Sequence, residues 1–112
     1  MSVVVDFQCA YDGDIPDESL FTQWAEAALD EVNEDCELSI RLVDETESAE
    51  LNGQYRGKSG PTNVLSFPFD APIKLEPRLL GDLVICVPVV RKEAQEQGKA
   101  ELHHWAHMVI HG

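Results

Sequence analysis

The sequence predicts an α+β fold with an α/β-like order of elements: a mixed sheet of about four strands covered by helices, ending in a C-terminal histidine helix. Three observations carry this. β-Prone runs recur four times, at residues 3–9, 36–43, 64–69 and 79–87. Runs with apolar residues three and four apart alternate with the first two, and strand–helix–strand–helix order calls for a sheet with helices packed on it. The last ten residues, free of proline and with glycine only at the end, hold all four histidines.

The first strand, Val3–Cys9, is β-branched and begins to alternate at Val5. Residues 11–14 are turn chemistry. Pro16, Asp17 and Glu18 suit a helix start, with proline in the first turn and acids against the macrodipole. Leu20, Phe21, Trp24, Ala27, Ala28 and Val32 then recur at helical spacing, and their aromatic stripe reads as core. Cys36–Val43 alternates in part and forms the second strand. Asp44 and Thr46 are both candidate N-caps for a short helix over 47–54.

Gly57, Gly60 and Pro61 make a loop before the third strand, 64–69, where Pro68 demands a sheet edge or a bulge. Residues 71–78 contain Pro72 and Pro77 and read as a loop. The fourth strand, 79–87, has Gly81 as a bulge candidate. Pro88 opens a helix that runs to Gln97 and ends at Gly98.

At about 100° per residue, His103, His104, His107 and His111 share roughly a quarter of the terminal helix surface. Leu102, Trp105, Ala106, Val109 and Ile110 fall on the opposite arc. The expectation is one oily face against a core and one histidine stripe. His107 and His111, four apart, have the spacing by which a helix offers two nitrogens to one zinc. Zinc takes three or four ligands, and Glu101 is the one acid nearby. Spacing alone therefore favours a half-exposed polar face over a metal site.

The formal net charge of -13 works against non-specific phosphate binding. It is unevenly placed. Residues 1–50 carry 15 acids and one base, Arg41, while residues 51–112 carry six acids and seven bases. The first half reads as an acidic solvated face, and the second offers local positive spots. Cys9, Cys36 and Cys86 are odd in number, lack C-x-x-C spacing and sit beside apolar runs, so each is expected as a small buried hydrophobe in a reducing cytoplasm. The N-terminus shows no basic region followed by a long apolar run, and no apolar stretch is long enough to span a bilayer.

Two stretches carry chemistry. Around Arg56 and Lys58, small residues flank two cations on a glycine-rich loop, which suits phosphate binding, although two bases on a solvated turn are weak evidence. Arg56, Lys58, Pro61, Thr62, Val64, Leu65, Ser66, Phe67 and Pro68 match a pattern that reads R-x-K-x-x-P-T-D-V-L-S-F-P, and Asn63 departs from it where Asp is usual. His111 and Gly112 match the opening of H-G-x-L-H-L-x-G-x-D-H, and Gly81-Asp82-Leu83-Val84-Ile85 is similar to a third recurrent segment. On these residues the chain resembles the YbeY family of bacterial rRNA-maturation endoribonucleases, from Tyr55 onwards, with a compatible order of elements before it.

The resemblance implies a single-strand-specific, metal-dependent endoribonuclease that acts at the 3′ end of small-subunit rRNA and in ribosome quality control. It implies a cytoplasmic protein whose partners are rRNA, the ribosome and a ribosomal protein. It implies one zinc ion held by three histidines, of which His111 is the first and the other two lie beyond Gly112. Zinc would supply a hydroxide near neutral pH, and Arg56 would neutralise charge developing on the phosphate. His103, His104 and His107 fall outside the motif and receive no ligand role. Residues 1–112 are expected to be one YbeY-like domain, incomplete at its C-terminal end and inactive alone. The rivals are a metal-dependent hydrolase of another substrate and a non-catalytic ribosome-binding module docked through the acidic half. Zinc proteases place a glutamate directly after the first metal histidine, and here Gly112 follows His111.

Overall fold

The computed structural model describes residues 3–30, 35–68 and 78–111, and for Arg78, Leu79 and His111 the backbone alone. Strand β1 (Val3–Cys9) leads through helix α1 (Glu18–Ala28) to β2 (Cys36–Val43) and α2 (Glu45–Arg56). Then come β3 (Val64–Pro68), β4 (Arg78–Cys86), α3 (Val87–Glu96) and α4 (Glu101–His111). The strands form one mixed sheet in the order β1-β2-β4-β3. β1, β2 and β4 run parallel, and β3 pairs antiparallel with β4. This is the α+β architecture expected from the order of elements.

Side chains alternate across a strand, so each central strand feeds two cores. Ile40, Leu42, Leu83 and Ile85 point to one face, where they meet Phe21 of α1, Val87 and Val90 of α3, and Trp105, Met108 and Val109 of α4. Val84, Cys86, Val43 and Leu65 form the opposite core, with Leu51 of α2 and Phe67 against it. Phe21 is the hub of the larger core. Its ring lies 5.0 Å from Phe7, 5.1 Å from Trp24 and 5.4 Å from Trp105, the last two edge-on. Edge-on pairing places the positive rim of one ring on the negative face of the next. The indole N–H of buried Trp105 donates to Glu101 Oε2 at 3.4 Å. Glu101 also pairs with Arg91 at 3.3 Å.

Several boundaries follow local chemistry. Asp17 accepts from Ser19 N and caps α1, and Asp44, rather than Thr46, caps α2 by accepting from Glu47 N at 2.9 Å. Pro68 lies on edge strand β3, where a missing N–H costs no ladder bond. Leu79 opposes Glu37 and Gly81 opposes Leu38, so Leu80 is the extra residue of a bulge. Gly81 takes φ 132°, which a side chain resists.

Other expectations are corrected. Arg78 opens β4 instead of closing a loop, and Val87 begins α3 instead of ending the strand. α2 is longer at both ends than 47–54, and α4 starts at Glu101. Val32, Phe69, the loop over 71–77 and Gly112 lie outside the described residues. Cys36 and Cys86 are buried as expected, but Cys9 is exposed. Burial pushes the Cys86 thiol up, against the opposing effect of hydrogen bonds from Val89 and Ser48. Among the described residues no helix is long and apolar enough to cross a membrane.

The largest correction concerns α4. Its buried residues are His104, Trp105, Met108 and Val109, whereas Leu102 is 49% and Ile110 37% exposed. The inward arc is thus rotated by roughly 100° from the most apolar arc. Trp105 sets the rotation, because its ring is the largest and fills the space beside Phe21. Trp105→Ala is expected to cost about 3–5 kcal/mol in denaturant unfolding. Leu102→Ala on the same helix should stay within about 0.5 kcal/mol. Equal costs would mean that α4 packs through its apolar arc after all.

Candidate functional site

The basic segment is held by α2. Gly57 adopts φ 66° after the helix, and its N–H donates back to Gly53 O at 3.2 Å, a left-handed helix end that glycine favours. Arg56 is therefore the last residue of α2 and not a loop residue. It is exposed there, a cation at the negative end of a helix dipole. Beyond it the chain turns back on buried polar groups one helical turn apart. Asn52 Nδ2 donates to Gly60 O at 2.9 Å. Ser48 Oγ donates to Thr62 O and accepts from Thr62 N, both at 3.0 Å. The loop that carries Lys58 is thereby pinned at both ends. Among the described residues, the side chains of Arg56 and Lys58 make no ion pair.

The same loop connects to the histidine helix. Asn63 Oδ1 accepts from Val64 N at 2.7 Å, and its Nδ2 donates to both oxygens of Glu93 at 3.1 and 3.3 Å. Glu93 Oε1 also lies 3.0 Å from His104 Nε2. With an ionised carboxylate as acceptor, Nε2 carries the proton and donates. His104 is thus not on an open stripe; it is 3% exposed, wedged between α3 and α4. Its Nδ1 and the Oδ1 of Asn52 are buried with no partner among the described residues. His103 and His107 are the exposed members. The His107 ring lies nearly parallel to that of His104, with centroids 6.3 Å apart.

Arg56 ends α2 and His111 ends α4, and the segments that carry them are linked through Asn63, Glu93 and His104. The His111 side chain lies outside the described residues. No group of three His, Cys, Asp or Glu side chains that could hold a metal is present among the described residues. Glu93 is taken up by Asn63 and His104, and His104 Nε2 by Glu93. The described side chains do not by themselves build a zinc site, so the chemistry assigned below is that of Arg56 and its neighbours.

Glu93 is the residue that sequence reasoning missed. It sits in the charged run Arg91-Lys92-Glu93, which carries no signal that one of the three turns inward. The same contact explains Asn63. An amide donates to Glu93, where an aspartate would set a second carboxylate at 3.1–3.3 Å from the first. In an Asn63→Asp variant one of the two carboxyls would have to keep its proton. The folded variant would then hold more protons than the unfolded chain, and its stability would fall as pH rises. Asn63→Asp is expected to lose about 1–3 kcal/mol at pH 8 and less at pH 5. A loss independent of pH would separate Asn63 from Glu93.

Comparisons with known proteins bear on the family and the fold. The family model for endoribonuclease YbeY matches residues 10–112. Among solved structures, the solution structure of TM1509 from Thermotoga maritima, described as VT1, is similar with a TM-score of 0.65 at 27% sequence identity. The match covers 97% of this chain and 69% of that one. The pinned basic loop, the histidine helix and a family match over nearly the whole sequence lead to one conclusion: the chain belongs to the YbeY family of endoribonucleases.

Proposed function

We propose that this protein is a metal-dependent endoribonuclease that cuts single-stranded RNA during maturation of the small-subunit rRNA 3′ end and in ribosome quality control. The observation that carries the reading is the pairing of two cations without an ion pair among the described residues, Arg56 and Lys58, with a loop locked to the histidine helix through Asn63, Glu93 and His104. Family membership supports a hydrolase acting on RNA in rRNA processing.

The roles divide by chemistry. Arg56 presents a planar fork of donors that fits two non-bridging phosphate oxygens. Charge grows on those oxygens during hydrolysis, and a cation carried at the helix end stabilises it. Lys58 adds a point charge that draws the strand to this end of the acidic protein. Zinc is the proposed cofactor; it supplies Lewis acidity and a low-pKa water when bound. His111 is proposed as one ligand, with the other donors coming from outside the described residues. The setting proposed is the cytoplasm, with the ribosome and a ribosomal protein as partners.

In the full-length protein, Arg56→Ala is expected to lower the rate of single-stranded RNA cleavage about 100-fold or more. As the change removes a cation from a helix C-terminus, it should cost no more than about 1 kcal/mol of stability. Unaltered cleavage would remove Arg56 from the reaction. A chelator should abolish cleavage and zinc should restore it. Full activity after exhaustive chelation would overturn metal dependence.

A further inference from the structure

Directly before Arg56 stands Tyr55, at 61% the most exposed large hydrophobic residue among the described residues. Its ring is not loose. It meets Phe67 edge-on, with centroids 5.0 Å apart and planes at 71°. Phe67 in turn packs on the core of Val43, Leu65, Val84 and Cys86. Tyr55 is therefore an exposed aromatic face braced by the sheet, in the last turn of a helix whose end is pinned by Gly57 and Asn52.

The two rings form one wall of an open trough of about 530 Å³ on the α2 side of the sheet. Asp6, Asp82 and Glu47 line it together with Arg41. Arg41 is consumed by a two-pronged pair with Glu47, at 2.6 and 3.1 Å, which leaves the trough net negative. A phosphate is repelled from such a floor, whereas a neutral base is not, and carboxylates accept from exocyclic amines of bases. Arg56 follows Tyr55 directly and Lys58 stands two residues further on; neither lines the trough, and neither makes an ion pair among the described residues. Aromatic faces beside cations are the means by which proteins hold unpaired nucleotides.

We infer that Tyr55, braced by Phe67, is a stacking platform for one unpaired base of the RNA, the base entering the trough while its phosphate lies with Arg56. A base-paired strand cannot offer a free base face there, so this platform contributes to single-strand selection. The inference rests on the proposed RNA substrate and names a subsite within it.

The test uses the full-length protein and a labelled single-stranded RNA pentamer, with fluorescence anisotropy read at 4 °C before cleavage begins. A matched pentamer with abasic sites serves as control. Tyr55→Ala should weaken binding of the normal pentamer about tenfold, the value of one lost stack. Tyr55→Phe and Tyr55→Trp should stay within about twofold of the parent. The abasic pentamer should bind parent and Tyr55→Ala alike, since only a base can stack. Arg56→Ala should weaken both pentamers. Equal binding of the normal pentamer by parent and Tyr55→Ala overturns the platform and leaves Tyr55 to a protein contact. Equal losses on normal and abasic pentamers also overturn it, because the ring would then act on the backbone. A parent that binds neither pentamer overturns the RNA reading itself, together with the platform.

Discussion

Glu93 accepts from Asn63 and from His104 at the same time, and each of those donors belongs to a different part of the chain. A buried imidazole without a partner is costly, and so is a half-buried carboxylate without donors. Glu93 thus joins Asn63 Nδ2 to His104 Nε2, which fixes the start of β3 against α3 and α3 against α4. The basic loop and the histidine helix cannot shift independently without breaking a charge-assisted hydrogen bond. Asn63 makes this possible, since it brings donors where an acid would bring a second negative charge.

The sheet divides the remaining work between its faces. One face carries α1, α3 and α4 around Phe21 and Trp105, with a cavity of about 220 Å³ left beside Ala25, Leu38, Val109 and Ile110. The other carries α2 and a smaller core, and leaves a trough between α2 and the strands. That asymmetry follows from strand alternation: Leu83 and Ile85 serve one side, Val84 and Cys86 the other. Tyr55 and Phe67 stand at the rim of the wider opening, on the α2 side.

An acidic chain that handles RNA has to separate its charges. Arg41 and Arg91 are tied to Glu47 and Glu101 and hold the fold together. Arg56 and Lys58 are left uncompensated among the described residues, on a segment whose acids lie elsewhere. At the proposed phosphate site the local charge is then opposite in sign to the net charge of -13. In the proposed reading a strand is drawn to these cations and repelled from the acidic remainder, which opposes non-specific binding.

The sequence by itself determined the elements. β1 and β2 have the bounds that their partly alternating sequences predict, Pro68 announced an edge strand, and Gly81 announced a bulge. These features depend on local backbone chemistry and on period-two or period-three-to-four burial, which a chain displays in order. The motif residues around Arg56 and before Gly112 were legible for the same reason, as contiguous patterns. Tertiary structure alone decided the rotation of α4, the burial of His104 and the role of Glu93. Periodicity ranks arcs by hydrophobicity, but a helix turns to bury its largest well-fitting ring, and Trp105 carried His104 inwards with it. The partner that made this tolerable lies 11 residues away on another helix. No local pattern encodes such a pairing; it exists only once α3 and α4 are packed.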